Sequence, residues 1–130
     1  MKARFTALFA TVLLTLSSTA FAVGLGELTM QSHLNEPLKA RIALVKTGDL
    51  KEGELLVAMA TAEEFAKHNM SRDAIYGTVH FELDMNNTAG PSILLSTQAV
   101  IKEPTLDFLV SLSWPTGKIV RGYTVLLEKP

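Results

Sequence analysis

Between residues 38 and 44 the apolar side chains Leu38, Ala40, Ile42 and Leu44 fall on alternate positions, with Lys39 and Arg41 between them. A period of two marks a half-buried β-strand rather than a helix, because successive side chains on a strand point to opposite faces. The same alternation recurs in Leu28, Met30, Ser32 and Leu34, and again in Val79, Phe81, Leu83 and Met85, where His80, Glu82 and Asp84 supply the wet face. The chain has 130 residues, 48% of them hydrophobic, and no cysteine. That length suits one domain held by its apolar core alone, without a disulfide framework.

Turn chemistry separates the strands. Asn35-Glu36-Pro37 follows the first, Thr47-Gly48-Asp49 the second, and the apolar run from Glu54 to Ala60 reads as a third. Thr61 is a good N-cap for a short helix from Ala62 to Lys67, whose first turn carries Glu63 and Glu64 and which docks through Phe65. Residues 78–85 form the fourth strand, Asn86 to Pro91 a turn, Ser92 to Thr97 a fifth strand, and Ala99 to Pro104 an extended connection. Leu106 to Trp114 and Lys118 to Glu128 form a hairpin around Trp114-Pro115-Thr116-Gly117. A three-residue loop with Gly117 left-handed and a two-residue loop both fit that turn, and they differ by one residue of register. The expected fold is all-β: an immunoglobulin-like antiparallel β-sandwich of six to seven strands with one short helix. A small barrel is the second architecture compatible with the pattern.

Residues 1–22 read as a signal peptide rather than as part of the fold. Lys2 and Arg4 form a positive start, Phe5 to Leu16 an apolar stretch, and Ala20-Phe21-Ala22 a small-x-small cleavage pattern, which predicts cleavage after Ala22 and export to the periplasm. The apolar stretch is shorter than the roughly 20 residues that cross a bilayer, and no such span follows Val23. Removal of the leader takes two positive charges with it and leaves a mildly acidic domain, 23–130.

Chemistry is sparse. The formal charge of −1 and the absence of a basic cluster argue against nucleic acid as a partner. His33, His68 and His80 lack metal-ligand spacing, and no cofactor or metal is expected. Glu82 and Asp84 share a strand face roughly 7 Å apart, a separation that also suits an inverting glycosidase. Such pairs arise on almost any polar strand face, so the residues alone do not point to an enzyme. Gly24-Leu25-Gly26 precedes a strand and reads as a flexible lead-in. Trp114 either covers the end of the core or stacks on a partner or sugar. Exposed sheet edges remain as a generic binding device.

Several segments then resemble one family together: Gly24 to Leu28, Ser32 to Ile42, Glu103 to Val110, Trp114 to Gly117, and Arg121 to Leu127, with Glu63 to Ala66 similar to its helical insert. These resemble the N-terminal periplasmic domain of the FimV family. The resemblance implies an envelope protein linked to type IV pilus assembly, twitching motility and organisation of the cell pole. In that family the domain precedes a LysM module, a transmembrane helix and a TPR-containing cytoplasmic part, so the chain is expected to be the head alone. It departs from the family pattern at Ser111, Ser113 and Gly122, and in the ending Glu128-Lys129-Pro130, positions that would face a partner.

The reading that results is a non-enzymatic periplasmic interaction module whose partners, by resemblance, are envelope proteins of the pilus or polar machinery. Candidate interface residues are Trp114 and Arg121, since aromatic and Arg side chains anchor interfaces. Asn35 and Asp107 are expected as turn or buried-polar determinants. A carbohydrate- or peptidoglycan-binding sandwich, using Trp114, Tyr76 and Tyr123, is one alternative. A truncated relic that folds without a partner is another.

Overall fold

The computed structural model describes residues 23–130, and the expected signal peptide lies outside them. Seven strands form two antiparallel sheets packed face to face: β1 (Gly24–Met30), β2 (Pro37–Val45), β3 (Leu56–Met59), β4 (His80–Asp84), β5 (Ser92–Val100), β6 (Thr105–Trp114) and β7 (Gly117–Leu126). One sheet runs β1-β2-β5-β4, the other β3-β6-β7. The immunoglobulin-like sandwich expected from the sequence is therefore the observed architecture. Its core is assembled from the alternate residues of both sheets, with Ile42, Ile93, Leu95, Val110 and Leu112 at its centre.

β2 follows the alternation closely: Leu38, Ala40, Ile42 and Leu44 are buried and Lys39 and Ala43 exposed. β1 does not. It was expected over residues 28–34, yet the ladder begins at Gly24 and leaves the sheet after Met30. The register shifts between Leu25 and Leu28, so the apolar period is broken by a bulge that a simple alternation misses. Gly24-Leu25-Gly26 is strand rather than flexible lead-in. A Cβ on Gly26 would lie 2.9 Å from the Ala43 carbonyl oxygen, so glycine permits the close approach of β1 to β2. At the other end Asn35 adopts φ 68°, a left-handed conformation that asparagine tolerates, and turns the chain into β2.

The helix α1 (Ala62–Lys67) forms where expected. Thr61 Oγ1 accepts from the Glu64 N–H at 3.1 Å while Glu64 Oε1 accepts from the Thr61 N–H at 3.1 Å, a reciprocal cap. Phe65 is fully buried. A single 3-10 turn, Ala74–Thr78, follows unheralded by any apolar period, and another, Glu52–Glu54, shortens the expected third strand. β5 runs three residues past its expected end, through part of the segment read as a connection.

β6 pairs with β7 from Thr105↔Leu126 to Trp114↔Gly117, which leaves a two-residue loop, Pro115-Thr116. Of the two loops compatible with the sequence the two-residue one forms, and Gly117 is not among the residues of positive φ. Its hydrogen side chain has another reason: a Cβ there would sit 2.7 Å from the Trp114 ring, which lies across it. β3 covers only residues 110–113 of β6. Beyond that the segment containing α1 and the second 3-10 turn takes over, with the Ala60 N–H on the Leu109 carbonyl at 2.9 Å. Lys118 Nζ meets Glu64 Oε2 at 3.1 Å, which ties α1 to β7. Leu109 and Ser111 alternate with the core-facing residues of β6 and are nonetheless buried.

Candidate functional site

The two-residue loop decides where the hairpin's side chains go. Counting from Trp114↔Gly117, residues Ile119, Arg121, Tyr123 and Val125 of β7 face the other sheet, and Lys118, Val120, Gly122, Thr124 and Leu126 face outward. Arg121 therefore points inward at the sandwich margin, where β7 lies beside β1. Its Nη1 donates to the Leu25 carbonyl at 2.7 Å and to the Gly26 carbonyl at 2.8 Å. The Tyr123 hydroxyl donates to the same Gly26 carbonyl at 2.7 Å, and the guanidinium lies 5.0 Å from the Tyr123 ring centre. Burial pushes the Tyr123 phenol above its ordinary value, with the neighbouring Arg121 charge pulling the other way.

These bonds join the two sheets along one margin. At its far end the Leu34 N–H donates to the Glu128 carbonyl at 2.8 Å. Between the two ties lies a groove of about 400 Å³ lined by Glu27, Leu28, Met30 and β7 residues from Arg121 to Leu126. Sequence reasoning missed this seam. The signal was present in Arg121 and Tyr123 two residues apart on one strand, but its direction depended on the loop length.

The other candidates sit elsewhere. Trp114 is half-buried at the hairpin tip and packs against the core margin. Asn35 lies at the opposite end of the sandwich, where its N–H donates to the Ile101 carbonyl at 2.8 Å. Asp107 stands exposed on β6, neither in a turn nor buried. Its carboxylate accepts from Thr124 Oγ1 at 3.0 Å across to β7, and its N–H donates to the Tyr76 hydroxyl at 2.9 Å. Tyr76 also belongs to a row of rings running Phe65, Tyr76, Phe108, Tyr123, with successive centres 6.0, 5.7 and 6.1 Å apart. Burial raises its pKa as well, opposed by the Asp107 N–H. The four residues singled out from the sequence thus do not converge on one surface.

Glu82 and Asp84 share a face of β4 but have different surroundings. Asp84 lies 3.7 Å from Arg41 and accepts from the Asn86 N–H and from Asn87 Nδ2 at 3.3 Å each. Arg41 Nη1 also donates to Ser92 Oγ. Glu82 is exposed beside Lys39, Arg41 and Leu94 on a shallow open face. Of the histidines, His33 lies 3.4 Å from Glu36, His68 Nδ1 lies 2.9 Å from the Glu64 carbonyl, and His80 is exposed on β4. No group of three His, Cys, Asp or Glu side chains among the described residues is arranged to hold a metal ion. Nor is any described helix long and apolar enough to cross a membrane.

An immunoglobulin-like β-sandwich with one helical insert and a tied strand margin defines the class of this domain. Comparison with known proteins narrows it. The family model described as the FimV N-terminal domain, an Ig-like domain, matches residues 23–130, so the chain belongs to that family. It is 38% identical over 114 residues to the motility hub protein FimV of Pseudomonas aeruginosa, in the PAO1 and UCBPP-PA14 strains alike. The match covers 88% of this chain and 12% of each relative, so the chain spans a small fraction of the relatives' length. No solved structure matches it.

Proposed function

We propose that this domain is a non-enzymatic protein-interaction module of the bacterial periplasm, contributing to type IV pilus assembly, twitching motility or polar organisation. The observation that carries the reading is the family match along all of residues 23–130, together with a relative whose name describes a motility hub. The geometry supports it on a second level. Asp84 and Arg121 make their hydrogen bonds to neighbouring residues of the same fold, as structural polar groups do. Export with cleavage after Ala22 belongs to the same proposal. Within it, half-buried Trp114 at the hairpin tip is the contact residue, whereas Arg121 ties the two sheets, Asp107 links β6 to β7 and Asn35 shapes a turn.

Cross-linking the tagged protein in its native periplasm tests this reading. Recovery of a pilus secretin, an alignment-complex protein or a polar factor, lost when Trp114 is replaced by alanine in a protein that still folds, is the expected result. Capture of nothing above an untagged control would sink it. Retention of the protein by purified cell wall with no protein captured would favour the glycan-binding alternative.

A further inference from the structure

Each sheet ends in two edge strands, and their exposed backbone groups are the places where another strand can add. β1 and β7 face one another across the seam and are tied there by Arg121, Tyr123 and the Leu34 to Glu128 bond. β3 has only four residues. β4 remains. The Leu44 N–H donates to the Pro91 carbonyl at 3.0 Å, which fixes the phase of the ladder: odd residues of β5 bond β2 and even residues bond β4. Even residues of β4 consequently bond β5, and the N–H and C=O groups of Phe81 and Leu83 point away from the sheet. Phe81 and Leu83 of this strand, and Val79 just before it, are only half-buried although they pack on the core side.

We propose that β4 pairs antiparallel with β4 of a second copy of this chain, about a two-fold axis at Phe81. The pattern of imidazole donor and carboxylates chooses both the occupant and the register. With the axis at Phe81, His80 of each copy stands opposite Glu82 of the other. An axis at Glu82 would oppose two Glu82 carboxylates, and an axis at Leu83 would set Glu82 against Asp84. Arg41 is held by Asp84 and Ser92, which leaves Glu82 free to turn to the second copy, with Lys39 the other charge on that face. In this register Phe81 exchanges backbone hydrogen bonds with Phe81, Val79 lies opposite Leu83, and the half-buried apolar row gains cover from both copies. The result is one continuous eight-stranded sheet. This association does not depend on the pilus-related reading.

The chain has no cysteine, so introduced thiols report pairing cleanly. His80 and Glu82 are exposed, so single replacements there leave the core intact. In a non-hydrogen-bonded antiparallel pair the Cα atoms lie about 4.5 Å apart, within the roughly 4.4–6.8 Å that a disulfide spans. Protein recovered from cells expressing the full chain as His80→Cys and as Glu82→Cys, mixed under a mild oxidant, should give several-fold more cross-linked dimer than either variant alone. Sedimentation of the cysteine-free protein should show a concentration-dependent dimer that Glu82→Lys weakens and His80→Glu with Glu82→Lys restores, all three with matching thermal melts. A chain that stays monomeric at every concentration would overturn the proposal. So would cross-linking no greater than that of Lys39→Cys, or Glu82→Cys linking to itself as efficiently as the mixture. None of these results bears on capture of other envelope proteins by Trp114, so the two readings fail separately.

Discussion

Replacing Arg121 and Tyr123 singly and together tests whether the seam is held as a coupled unit. Both side chains converge on the Gly26 carbonyl, and Arg121 alone serves Leu25. Tyr123→Phe removes one bond but leaves Gly26 with its guanidinium donor, so it should cost about 1 kcal/mol. Arg121→Ala removes the donor to Leu25 along with the guanidinium packed on the Tyr123 ring. Hydrogen bonds from charged donors run to about 1.5–3 kcal/mol, and partial exposure of the guanidinium argues for the lower end, about 2 kcal/mol. In the double variant Gly26 loses both donors at once. The combined loss should exceed the sum of the singles by about 1 kcal/mol, because each single leaves the shared acceptor satisfied. For a domain of this size about 2 kcal/mol corresponds to a fall in Tm of roughly 10 °C. Denaturant unfolding of the four proteins in a double-mutant cycle reads the coupling directly. Additive losses would refute the shared-acceptor argument. An Arg121→Ala protein as stable as the parent but unable to capture partners would show that Arg121 is an interface anchor instead.

Thr61→Ala should cost about 1 kcal/mol by removing the helix cap, as read by thermal unfolding. The Thr61 N–H, then Lys118, hold the Glu64 carboxyl below its ordinary value of 4.5, so that residue's contribution is present above 4.5 and is lost as pH falls through the lowered value. Gly117→Ala should displace the Trp114 indole, which a Cβ would approach to 2.7 Å, and the single tryptophan makes the change visible as a shift in fluorescence emission. Asn35→Gly should be tolerated, whereas Asn35→Val should lower stability by about 1–2 kcal/mol through its left-handed backbone, measured by urea unfolding. Burial raises both tyrosines above 10, so their contribution is fully present below pH 10 and is lost as pH rises through the higher folded values; absorbance and circular dichroism followed together should show phenolate formation coinciding with unfolding.

What could be read from the sequence was whatever a local period or a local cap encodes. β2 announces itself because four apolar residues alternate without interruption, and α1 because Thr61 and Glu64 stand at cap spacing with one apolar residue to dock. β1 was displaced because its bulge changes the phase between Leu25 and Leu28, so no single alternation describes it. Ala74–Thr78 carries no period, since a 3-10 turn of five residues is fixed by Tyr76 reaching β6, a contact 31 positions away in the chain. Leu109 and Ser111 are buried on what would be the wet face, a tertiary fact absent from β6 itself. Arg121 was read as an anchor for a partner because arginine is a favoured interface residue. A one-residue choice of loop length turns it inward, and local sequence left that choice open.

Arg121 also makes the two margins of the sandwich unequal. A charge on the inner face of an edge strand discourages another strand from pairing there, because burying it unpartnered is costly. On β7 that charge is satisfied by carbonyls of β1, so the margin is closed from within the chain, and the groove left between the ties is lined by both strands. On β4 the inner positions are Phe81 and Leu83, neither charged, and the outer face carries His80 beside Glu82 and Asp84, so that an imidazole N–H can meet a carboxylate of a second β4. The fold thus guards one margin with an arginine whose Nη1 it ties to two carbonyls of β1, and leaves the other with unpaired backbone and half-covered apolar side chains. An edge of that composition gains more from being paired than from standing free.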